Sequence, residues 1–121
     1  MKNIHLIISV IIVAPTAILY AFCPNILFEI SPYTIDEKNV FKALMGLYLG
    51  FAFLWTLGIL NPKLWKSATQ SNIIFMFGLA FGRTLSILMD GLPSFIFILG
   101  TIGEMILGSY AYFQLQKQSK L

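Results

Sequence analysis

Four apolar runs, at about residues 4–22, 39–60, 71–89 and 95–115, fill most of this 121-residue chain. Each approaches the ~20 residues that an α-helix needs to cross ~30 Å of hydrocarbon. None alternates with a period of two, which argues against a membrane barrel. Within hydrocarbon the backbone must satisfy its own hydrogen bonds, so helices are the remaining choice. The expected fold is therefore all-α: a single domain over residues 1–121, built as an integral membrane bundle of four transmembrane helices. Composition agrees. Hydrophobic residues make up 58% of the chain and charged residues 11%, against about half and about a quarter in a soluble domain. Too few polar side chains remain to coat a water-facing surface.

The breaks between the runs carry turn chemistry. Pro24 and Pro32 follow the first run, and Asn61-Pro62 ends the second, because proline disfavours helical geometry in the residue before it. Ser71 and Ser94 stand where helix caps belong, and Asp90-Gly91-Leu92-Pro93 reads as a tight turn. Pro15 falls inside the first run and predicts a kink. The polar tail from Gln114 onward is expected to fray. Bulky Phe22 before Cys23 fits a lipoprotein cleavage site poorly. The first run therefore reads as a retained helix and not as a signal peptide.

Charge sets the expected orientation. Lys2, Lys63, Lys66, Lys117 and Lys120 fall on one side with no acid among them. Glu29, Asp36, Glu37 and Asp90 fall on the other, with Lys38 and Lys42. The positive-inside rule then places both termini and the middle connection in the cytoplasm. The net charge of +3 comes from basic residues in ones and twos, a poor match to a nucleic-acid-binding face. The lone Cys23 excludes an internal disulfide. His5 reads as an interfacial anchor, Trp65 as an aromatic-belt residue, Trp55 as packing, and Ile26-Leu27-Phe28 as an apolar patch at the interface.

Three charged residues lie within the spans: Lys42, Arg83 and Glu104, with Asp90 at the rim. A charge at bilayer depth is expensive and normally faces protein or a water-filled cavity. Counted from the turn at Asp90, Arg83 and Glu104 differ in depth by about one helical turn, within reach of an arginine side chain. Glycines at four-residue spacing accompany them: Gly46 and Gly50, Gly78 and Gly82, Gly100 and Gly108 around Glu104. Small residues mark helix contact faces in membranes, so these stripes are expected to pack the monomer and to carry the charges inward. The resulting candidate site is Lys42, Tyr48, Arg83, Ser86, Asp90, Thr101 and Glu104, with Thr16 at similar depth. It can be read as an outward-facing polar pocket. It can equally be a structural ion pair that binds nothing.

The stretch from Phe41 to Gly50, the Gly82-Arg83-Thr84-Leu85-Ser86 motif with Asp90-Gly91-Leu92-Pro93, and Gly103-Glu104 together resemble a family of small bacterial inner-membrane proteins known as a domain of unknown function. The similarity covers nearly the whole chain. That family is broadly similar to DoxX-like four-helix membrane proteins, some of which accompany quinone-linked oxidoreductases as small membrane subunits. The resemblance implies a multi-pass protein of the bacterial inner membrane. It marks Lys42, Arg83, Asp90 and Glu104 as site candidates and implies no particular activity or cofactor.

The expected function is binding of a small amphiphile, such as a lipid, quinone or similar lipophile, in service of a larger membrane complex or a homo-oligomer. The alternative is an oligomeric channel or transporter using the same charges. For that path the inner half of the bundle offers few polar residues beyond Ser9 and Thr56. No nucleophile–base pair or metal-ligand cluster is visible, so an enzyme is not expected.

Overall fold

The computed structural model describes residues 2–28 and 30–119, without the side chain of Leu27. Glu29 and Lys120, both counted in the charge distribution, lie outside the described residues. Four helices are long and apolar enough to cross a membrane. They are α1 (Ile4–Phe22), α3 (Ile35–Leu60), α4 (Trp65–Asp90) and α5 (Phe95–Ser119). A single helical turn, α2 (Pro24–Leu27), follows α1, and a 3₁₀ turn at Pro62–Leu64 joins α3 to α4.

Two spans start earlier than hydropathy suggests. At α3, Thr34 accepts a hydrogen bond from the Glu37 backbone N–H at 3.0 Å, while the Glu37 carboxylate receives the Thr34 hydroxyl at 3.1 Å. This Thr-x-x-Glu capping box adds a polar first turn, with Asp36 and Glu37 at the helix end that favours negative charge. At α4 the chain turns at once after Asn61, whose side chain accepts from the Lys63 N–H at 3.0 Å. The helix then begins at Trp65, not Ser71. Ser71 is no cap: its hydroxyl donates to the Ala68 carbonyl and receives the Trp55 indole N–H at 3.0 Å. The tail also departs from expectation, since α5 continues to Ser119 and buries Gln114. After α4 the chain passes through Gly91 at φ 103°, a conformation that favours glycine, and α5 begins at Phe95.

Sequential helices pack antiparallel. Lys42 of α3 lies over the Phe22 ring of α1, Gly58 of α3 meets Ala68 of α4, and Arg83 of α4 pairs with Glu104 of α5. The alternate helices α1 and α4 are therefore parallel. Their side chains meet across the bundle centre at a nearly constant offset in sequence: Lys2 with Trp65, His5 with Thr69, Ser9 with Asn72, Tyr20 with Arg83. Between these polar rungs the same register sets Val13 opposite Met76 and Ala17 opposite Ala80, all four buried.

This packing corrects several expectations. His5 is completely buried, its ring bonded to the Thr69 hydroxyl at 2.9 Å and edge-on to Trp65 and Tyr110. Trp65 is likewise in the core, donating to the Lys2 carbonyl. Both face the bundle interior and not the lipid, because the added turn of α4 extends the bundle down to them. The buried set of His5, Ser9, Thr69, Asn72 and Gln114 also makes that half of the bundle more polar than expected. The glycine stripes largely face outward: Gly46, Gly50, Gly78 and Gly82 are exposed, with no atom within 4 Å of where a Cβ would stand. The close helix contacts are made instead by Gly58 against Ala68 and Gly108 against the Phe77 ring.

Candidate functional site

On α4, Met76, Ala80 and Arg83 follow one face at helical spacing, and on α5 Gly100, Glu104 and Leu107 do the same. The two faces converge on the bundle centre. There the Arg83 Nε–H donates to both oxygens of Glu104, at 3.0 and 3.2 Å. One Nη of Arg83 reaches the Tyr20 hydroxyl of α1 at 3.4 Å, and the guanidinium lies 5.5 Å over the Phe97 ring. The pair expected from the depth count is thus present, held by three helices. Its side chains keep 22% and 12% of their surface accessible. That surface faces a cavity.

The cavity has a volume of about 330 Å³. Its polar wall is Arg83, Glu104, Tyr20 and Tyr48, with Thr16 alongside; the rest is apolar. Its floor is Val13, Met76 and Leu107. At the α2 end Phe28 closes over it, stacked on Tyr20 at 4.9 Å and on Phe97 at 5.1 Å. Phe28 is therefore drawn into the bundle and does not lie in an interfacial patch, whereas its neighbour Ile26 stays exposed. The open side lies between α1 and α5, where the lining residues Ile12 and Leu99 are 51% and 47% exposed. Gly100 and Gly103 keep this wall low, since neither has an atom within 4 Å of where a Cβ would stand.

The sequence candidates separate on this geometry. Arg83, Glu104 and Tyr48 line the cavity, as does Thr16; Lys42, Ser86, Asp90 and Thr101 do not. Thr101 is buried, its hydroxyl donating to the Phe97 carbonyl within its own helix. Ser86 donates to Asp90 at 3.0 Å on the exposed end of α4. Lys42 is exposed and borders a separate, more open depression with Lys38, Asn25 and Ser31. Tyr20 and Phe28 were not anticipated. Tyr20 shares the face of α1 that carries Val13 and Ala17, a spacing visible in the sequence. Nothing local marks Phe28 for insertion.

A family model for a domain of unknown function, DUF4345, matches residues 1–115. The chain belongs to the DUF4345 family. The family's description assigns no activity, and comparison with curated proteins and with solved structures gave no match.

Proposed function

We propose that this DUF4345 protein binds a small amphiphile, a lipid, quinone or similar lipophile, in the cavity between α1, α4 and α5, and serves a larger membrane complex. The observation that carries the reading is the cavity itself: an apolar chamber with one polar wall, open toward the side of the bundle. Small-molecule sites characteristically combine apolar lining with a few placed polar groups. A structural ion pair alone has no need of the space beside it.

The experiment is to fill that space. Gly103→Leu places a side chain into the cavity without meeting a neighbour at its Cβ. Native mass spectrometry of gently solubilised protein should show a retained lipophile on the wild type and its loss in Gly103→Leu, at unchanged helicity. Equal retention by both would remove the cavity from consideration.

A second reading is conduction of a small ion, as an oligomer. The polar rungs His5–Thr69 and Ser9–Asn72 favour it, because they continue the polar side of the cavity toward the other end of the bundle. Val13 and Met76 interrupt that line. Flux into liposomes that disappears with Glu104→Gln would select this reading over binding.

The lysine distribution supports an orientation with both termini in the cytoplasm. Cys23 is the sole cysteine and lies half-buried at the junction of α1 and α2. A membrane-impermeant maleimide should label it in intact spheroplasts. Labelling only after lysis would invert the topology.

A further inference from the structure

We infer that the lipophile selected here is neutral, carries a carbonyl oxygen, and enters sideways from the acyl-chain layer between α1 and α5. This rests on the binding reading above and specifies its ligand.

The charge of the site decides the class. Arg83 is the sole cation on the cavity wall, and Glu104 already matches it through two contacts from Nε. The pair carries no net charge. An anionic head group would have to give up its water beside a carboxylate that repels it, a cost that the matched arginine does not repay. Hydrogen-bonding capacity decides the head group. Arginine has five N–H donors and no acceptor. Among the described residues one Nη of Arg83 makes no hydrogen bond, the other makes a long one, and the Tyr48 hydroxyl makes none. The polar wall therefore has donors to spare. A carbonyl oxygen, with two lone pairs, can accept from the guanidinium and a tyrosine together without disturbing Glu104.

Shape decides the route and the size. Phe28 closes one end between Tyr20 and Phe97, while Val13 and Met76 close the other. The passage past Ile12 and Leu99 remains, between two helices long and apolar enough to cross a membrane. A volume of about 330 Å³ is at the low end of the roughly 300–1,000 Å³ of small-molecule sites. Within the cavity it suits one chain and a compact head.

The test uses the intact protein in phosphatidylcholine nanodiscs and a methyl decyl ketone with a diazirine in its tail. Irradiation should label α1 and α5 peptides, those holding Ile12 and Leu99. Unlabelled methyl decyl ketone should then compete about tenfold better than dodecane or decanesulfonate, the scale of one hydrogen bond to a charged donor. Label scattered over the outer helix faces would overturn both the ligand class and the cavity reading. Label on α1 and α5 that decanesulfonate or dodecane displaces equally well would overturn the ligand class and leave the cavity reading standing. Glu104→Gln supplies an independent check by giving the wall a net positive charge. Decanesulfonate should gain on the ketone there, and an unchanged ranking would contradict the charge argument.

Discussion

Arg83→Leu should destabilise the bundle by about 3–5 kcal/mol, the usual result of stranding one member of a buried ion pair. Glu104 would keep its place on the cavity wall with its arginine partner gone, and Tyr20 would lose its link to α4. Arg83→Leu with Glu104→Leu should recover most of that loss. A matched pair of apolar side chains escapes the desolvation that the ions pay, and such replacements are often neutral or stabilising. Unfolding in mixed micelles, followed by helicity, measures both. Binding separates what stability merges: the double variant should be folded and fail to retain the lipophile. If the double variant is stable and still retains it, the ion pair is structural and the apolar wall alone holds the ligand. If the single variant is as stable as wild type, the pair carries no structural role.

The residues in that prediction were legible because charge in a membrane is so costly. An arginine and a glutamate at matched depth on consecutive helices leave few places to go, and the pair forms at 3.0 Å. The four spans were legible for the same reason, since an apolar run of crossing length has one economical backbone. The face of each helix was harder to read. In a soluble helix the buried side is the apolar side, but here both sides are apolar. Gly46, Gly50, Gly78 and Gly82 show the consequence, forming regular stripes that meet no neighbour. Spacing alone could not distinguish them from Gly58 and Gly108, which do. Lys42 followed its stripe outward.

Helix ends were misread where polar residues continue a helix beyond its apolar run. Thr34 and Glu37 carried a visible capping signal; the polar turn from Trp65 to Gln70 carried none. That turn has consequences for function. It brings Thr69 to His5, and so adds a second buried polar rung below the Ser9–Asn72 rung on which the conduction reading depends. The insertion of Phe28 was beyond sequence reasoning altogether. It requires Tyr20 and Phe97, distant in sequence, to stand apart by the thickness of one ring.

Gly58→Ala provides the second large effect and tests the frame that holds the cavity. A Cβ at Gly58 would collide with the Cβ of Ala68, with the Leu64 carbonyl at 3.4 Å and Leu6 at 3.5 Å leaving it no room to shift. Overpacking of this kind costs about 1–3 kcal/mol. Here it would force apart α3 and α4 next to the polar rungs. Ala68→Gly in the same chain removes the colliding atom and should restore most of the stability, short of the ~0.5–1 kcal/mol that a glycine costs within a helix. Gly46→Ala is the matched control: with open space around its Cβ, it should be neutral or stabilising by up to about 1 kcal/mol. Unfolding midpoints for the four proteins, wild type included, would therefore rank Gly58→Ala lowest by a clear margin. If Gly46→Ala proved the damaging substitution instead, the glycine stripe of α3 would be a packed face after all, and α3 would be rotated from the orientation that sets Tyr48 on the cavity wall.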